Sequence, residues 1–114
     1  MTGINKDIIM VPKTQGDLID LLGSMILLSP EFKALYRNWN IDIAFFELHS
    51  GIDNFKKKFT EKGCADLHAM AHEAERLFRS GAHLLQPCTI LMNMQKYIWR
   101  KKWLDDDPGD PKDW

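Results

Sequence analysis

Apolar residues recur every three or four positions through most of the chain, which is the spacing of an amphipathic helix. The pattern predicts an all-α, single-domain bundle of about five helices. The first helix is predicted over 15–28, where Thr14 and Asp17 form a capping pair. The second is predicted over 30–39, because Ser29-Pro30-Glu31 combines a cap residue, a proline at the first helical position and an early acid.

The remaining three predicted helices follow from the same spacing. Asn40 is expected to cap a third helix that ends before Gly63, with an apolar stripe made of Ile41, Ala44, Phe45, Leu48, Ile52, Phe55 and Phe59. A fourth helix is predicted over 64–81, with a buried face made of Leu67, Met70, Ala71, Ala74, Leu77 and Phe78. Pro87 is expected to open a fifth helix that runs to about residue 104.

The two ends of the chain differ from this helical domain, which we place at 14–104. Residues 1–13 hold a short apolar run that suits an N-terminal strap or a short strand, and the lack of a partner strand favours the strap. Residues 105–114 are rich in Asp, Pro and Gly, which predicts an acidic, disordered C-terminal tail.

Charge and composition exclude some classes of function. Residues 1–104 carry fourteen Lys and Arg against eleven Asp and Glu, a surplus too small to favour nucleic-acid binding. No apolar run is long enough for a membrane span, and the N-terminal residues do not resemble a signal peptide, so a cytoplasmic protein is expected. Two cysteines make no disulfide framework or paired-cysteine zinc pattern; reduced thiols are expected, and a single bridge remains the alternative.

The fourth predicted helix carries a candidate metal site. Cys64, His68 and His72 follow at four-residue intervals and Glu75 continues the line, so all four side chains lie on one side of the helix. Histidines four apart on a helix chelate zinc or another transition metal, and a thiolate or carboxylate adds a third ligand. His49 joins them only if the third and fourth helices pack with these edges together.

A structural interpretation of the same residues stays open. They also suit the boundary of a helix face, with Glu75 paired to Arg79 or His72. Ala69 stands where the helical metalloprotease signature needs glutamate, and no phosphate-binding loop or nucleophile elbow occurs, so the sequence favours a non-enzymatic protein. Cys64, near a predicted helix N-terminus and Lys62, is a candidate for a thiol of lowered pKa.

The fifth predicted helix is apolar on two sides. One stripe suits the core: Ile90, Leu91, Met94, Tyr97 and Ile98. The second side is a candidate partner-binding surface, made of Met92, Lys96, Trp99, Arg100 and Trp103. Either this helix is central in the bundle, or its second side is the seam of a homodimer or a docking surface for another protein.

Three hypotheses about function follow. The first is a non-enzymatic helical protein-interaction module, such as an adaptor, antitoxin or immunity-type inhibitor, that self-associates through the fifth helix. The second is a metal-binding helical protein that uses Cys64, His68, His72 and Glu75 with an ion such as zinc. The third is a small-molecule pocket whose lining residues would otherwise be core: Phe45, Phe55, Phe59, Met70 and Phe78.

Overall fold

A computed structural model describes residues 9–34 and 38–103 of the chain, with the side chains described as far as Arg100. These residues form four helices, α1 (Gln15–Leu28), α2 (Ile41–Asp53), α3 (Lys56–Arg79) and α4 (Leu85–Trp103). Both α1 and α3 pack against α2 and α4, so the four helices surround one hydrophobic core. The predicted all-α domain is confirmed, and no strand occurs in the part of the chain described.

The start of α1 is the one that its sequence predicts. The Thr14 hydroxyl accepts a hydrogen bond from the Asp17 amide at 2.9 Å, and the Asp17 carboxylate accepts one from the Thr14 amide at 3.2 Å. This reciprocal capping box satisfies two amides that the first helical turn leaves without partners. The predicted bounds of 15–28 are therefore confirmed.

The predicted helix over 30–39 is wrong in its described part. Residues 29–34 and 38–40 form a non-helical connector between α1 and α2. Phe32 has a φ of 55°, which a right-handed helix does not accommodate. Its side chain is fully buried, with ring edges directed at three aromatic residues: Trp39, Phe45 and Phe78. Burial of this ring in the core outweighs the local preference for helix.

The boundary between the third and fourth predicted helices is also wrong. The chain leaves α2 after Asp53 and enters α3 at Lys56, and α3 then passes through Gly63 without ending there. Its interruption lies at Thr60, whose φ is 63° and whose hydroxyl accepts a hydrogen bond from the Gly63 amide at 3.2 Å. A Cβ on Gly63 would lie 2.8 Å from the Tyr97 hydroxyl oxygen. This glycine therefore permits close packing of α3 on α4.

The fifth predicted helix corresponds to α4, which begins two residues earlier than expected. Leu91, Met94, Tyr97 and Ile98 are buried as predicted. Since α4 packs beside α1 and α3 and leaves Met92 and Trp99 exposed, it is not a central helix surrounded by the others. None of the helices, over the residues described, is long and apolar enough to cross a bilayer.

The predicted strap is described only over residues 9–13, which form no strand. The Met10 amide donates a hydrogen bond of 2.6 Å to the fully buried Glu47, and the Trp39 indole donates one of 3.1 Å to the other carboxylate oxygen. Glu47 therefore holds both the strap and the α1–α2 connector on α2. A cleft of about 760 Å³ lies between the strap and α1. The predicted tail at 105–114 lies outside the described residues.

The residues named for a small-molecule pocket belong mainly to the core. Phe45, Phe59, Met70 and Phe78 are buried in it, and Phe55 packs against it half-buried. The core interpretation of these residues is confirmed.

Candidate metal centre between α2 and α3

Three of the four histidines meet where α2 packs against α3. His49 on α2 lies between two α3 residues: its Nδ1 is 2.6 Å from the Nδ1 of His68, and its ring centroid is 4.4 Å from that of His72. The two helices therefore pack with these edges together, which is the arrangement that His49 needs in order to join the candidate ligands of α3. The fourth histidine, His83, lies in the turn between α3 and α4.

A set of possible metal ligands results from this packing. One ring nitrogen each of His49 and His72 and one carboxylate oxygen of Glu75 all lie within 4.8 Å of one another. Around a tetrahedral zinc ion with bonds of about 2.1 Å, ligand atoms lie about 3.4 Å apart, so the side chains must close by at most about 1.4 Å. His72 is exposed and Glu75 is half-buried, so these two side chains lie at the surface edge of the cluster.

Arg79 orients the Glu75 carboxylate and leaves one of its oxygens open. The guanidinium binds Oε2 through Nε at 2.9 Å and through Nη2 at 2.8 Å, and it also pairs with Asp42 on α2. The Glu75–Arg79 pair of the structural interpretation is thus present. Within the described residues Oε1 keeps no such contact, so the ion pair and metal binding by Glu75 are compatible.

His49 is neutral at physiological pH. Burial, together with the neighbouring His72 and His68, lowers its pKa from 6.5 to about 4, while the Glu75 and Asp53 carboxylates act in the opposite direction. A neutral imidazole offers a lone pair without first losing a proton, which is the form that a metal ion binds.

Cys64 lies apart from this group. Its side chain is only 6% exposed, and its sulfur is 3.9 Å from the Ile52 carbonyl oxygen in the core. Burial and the nearby Asp53 carboxylate raise the pKa of the thiol, although Lys56 acts in the opposite sense. The expectation of a lowered pKa is wrong, because the thiol is buried in the core near the Asp53 carboxylate. Cys64 and Cys88 are both free thiols, so the alternative of a bridge between them is also wrong.

We expect Cys64 to react slowly with alkylating reagents. Since only the thiolate is nucleophilic, a raised pKa and burial together lower the rate. Iodoacetamide labelling between pH 7 and pH 10, followed by peptide mass spectrometry, measures the rate at each cysteine. In the folded Cys88→Ser protein, labelling should be slower than in the same protein in urea and should rise at higher pH than in the unfolded chain. A faster rate in the folded protein would contradict this.

The candidate partner-binding surface lies on α4. Met92, Lys96 and Trp99 are spaced by four and three residues on one face, with Met92 43% and Trp99 48% exposed. Lys96, Trp99 and Arg100 also border a shallow pocket of about 330 Å³ against Ile19 of α1. Trp103 is in α4, but its side chain lies outside the described residues.

Sequence reasoning missed the part played by Asp53. Its carboxylate oxygen lies 2.8 Å from the Nε2 of His68, which it binds from the last turn of α2. The only available indication was that Asp53 follows His49 by four residues, so the two share a face of α2.

A comparison with protein-family models, curated proteins and solved structures found no match to this chain.

Proposed function

We propose that this protein binds a divalent transition-metal ion such as zinc between α2 and α3, with His49, His72 and Glu75 as ligands. The observation that supports this is the convergence of two imidazoles and one carboxylate, from two helices, within 4.8 Å. Imidazole nitrogen and carboxylate oxygen form a donor set that zinc and similar ions prefer.

The ligand set bears on what the bound ion does. Ligands from both α2 and α3 make the ion a cross-link between two helices, so its binding energy stabilises the fold. Three protein ligands also leave a fourth position for water, as in sites where zinc acts as a Lewis acid. We propose the cross-link as the primary role, since no further catalytic pattern accompanies the site in the sequence.

Metal content after chelation and reloading tests the proposal. The untagged protein, stripped with a chelator and dialysed against zinc, should bind one ion per chain by elemental analysis. His72→Ala removes an exposed ligand and should reduce this to below about a tenth of an equivalent. His83→Ala removes an exposed histidine outside the cluster and should still bind one ion. Equal zinc binding by both variants, or none by the wild type, would refute the proposed site.

A second candidate function is self-association through α4, as a non-enzymatic interaction module. The observation that favours it is the exposure of Met92 and Trp99 on the face that also carries Lys96. Exposed aromatic and methionine side chains with a basic rim are typical of protein interfaces. A second copy of the chain is the simplest partner for such a face.

Light scattering across a wide concentration range tests self-association. We expect the wild-type chain to form a dimer and the Met92→Ser, Trp99→Ser variant to be a folded monomer, because the substitutions remove the apolar contact area. Leu27→Ser changes a residue of α1 that is 81% exposed and should leave the dimer intact. A wild type that stays monomeric at every concentration would exclude this candidate.

A further inference from the structure

We propose that Asp53 and His68 act as positioning residues: by fixing which ring nitrogen of His49 carries the proton, they make its Nε2 the ligand atom for the metal ion. This inference rests on the proposed metal-binding function. Asp53 and His68 form an outer layer of the site, and neither residue touches the ion.

The three side chains form a continuous chain of hydrogen bonds from α2 to α3 and back. The Asp53 carboxylate lies 2.8 Å from Nε2 of His68, and Nδ1 of His68 lies 2.6 Å from Nδ1 of His49. The two imidazole planes differ by only 10°, with centroids 4.9 Å apart. Because the centroid separation exceeds the nitrogen separation by about the size of a ring, the rings meet edge to edge. This is the arrangement of an N–H···N hydrogen bond.

The position of each proton follows from the carboxylate. An ionised carboxylate only accepts hydrogen bonds, so Nε2 of His68 must carry the proton that it donates to Asp53. In the neutral form of this ring, which has a single N–H, Nδ1 of His68 is then an acceptor. The hydrogen bond to this nitrogen therefore requires a proton on Nδ1 of His49. Nε2 of His49 is left with its lone pair free.

That lone pair has no protein partner. Nε2 of His49 is buried and makes no hydrogen bond with any described residue. A buried polar atom without a partner is uncommon in native proteins and calls for an explanation. His72 and Glu75 each bring one ligand atom to within 4.8 Å of a ring nitrogen of His49, and a cation held by them would accept this electron pair. His72, as the exposed member of the three, is the side chain that turns to admit the ion.

The arrangement resembles the outer shell of metal sites in general. A ligating histidine usually donates its second N–H to an acceptor that orients the ring and raises its basicity. Here that acceptor is His68, which Asp53 orients in turn. Removing such a partner typically weakens metal binding by about 10- to 100-fold while the ligands themselves remain.

The first test needs no metal. Ring nitrogen and carbon-bound hydrogen correlations of the ¹⁵N-labelled, metal-free protein at pH 8 report which nitrogen of each histidine is protonated. We expect protonation at Nδ1 for His49 and at Nε2 for His68. In Asp53→Ala, which changes an exposed side chain, His49 should shift toward the Nε2-protonated form that free imidazoles favour. Protonation of His49 at Nε2 in the wild type would overturn the proposal.

The second test measures zinc affinity by competition with a chromogenic chelator. Asp53→Ala should weaken binding by about 10- to 100-fold with one ion still bound at saturation, and Asp53→Asn, which keeps an acceptor oxygen, should recover part of the loss. Asp20→Ala removes an exposed carboxylate of α1 and should not alter the affinity. Unchanged affinity in Asp53→Ala overturns the positioning role but leaves the metal site standing. A wild type that binds no zinc refutes the site, while the tautomer result stands by itself.

Discussion

Zinc at a free concentration of about 100 times its Kd should raise the free energy of unfolding by about 2.7 kcal/mol. The reason is that the proposed ligands lie on two helices: His49 on α2, and His72 and Glu75 on α3. Unfolding separates the helices and so releases the ion. Urea denaturation followed by circular dichroism, with the metal-free and the zinc-loaded protein side by side, measures the difference.

Two histidine variants separate a specific cross-link from a general effect of zinc. In His72→Ala the zinc-dependent increase should disappear, because one ligand is missing. In His83→Ala it should remain, although loss of the hydrogen bond from the Leu85 amide to the His83 ring slightly weakens the start of α4 in both metal states. An equal increase in both variants would contradict the proposed ligand set, and destabilisation of the wild type would show that zinc prefers the unfolded chain.

The α3 side of the site could be predicted from sequence, whereas the α2 side could not. The spacing of His68, His72 and Glu75 places them on one face of any helix that contains them. Which residues of another helix meet that face depends on how α2 packs on α3. His49 could therefore be proposed only conditionally, and the contact between Asp53 and His68 not at all. The hydrogen-bond chain is a property of the packed helices.

The errors in the helix predictions have a common physical cause. The local preferences of Pro30 and Gly63 predict a helix start and a helix end. In the structure, tertiary contacts decide both places: Phe32 enters the core and prevents a helix there, and Gly63 admits Tyr97 inside a continuing helix. At Thr14 and Asp17 the local preference and the packed structure agree, so that start was predicted correctly.

Phe32→Ala should lower the free energy of unfolding by about 3–5 kcal/mol, which is the usual cost of removing a buried aromatic ring. Phe32 is fully buried, and its ring lies 5.1 Å from that of Phe78 on α3 and 6.1 Å from that of Phe45 on α2. Its removal leaves a cavity where the connector closes over these two helices. Urea denaturation measures the loss. The expected loss is a substantial part of the free energy of unfolding of a typical small domain.

Leu27→Ala is the matched control for this substitution. Leu27 lies five residues earlier in the chain and is also apolar, but it is 81% exposed, so its truncation should change the free energy of unfolding by no more than about 0.5 kcal/mol. If Phe32 were an exposed residue of the connector, as Leu27 is of α1, the two substitutions would have similar, small effects. A loss of under about 1 kcal/mol in Phe32→Ala would therefore contradict the burial of this ring. A loss of several kcal/mol confined to Phe32 would show that its ring, buried against Phe45 and Phe78, anchors the connector to α2 and α3.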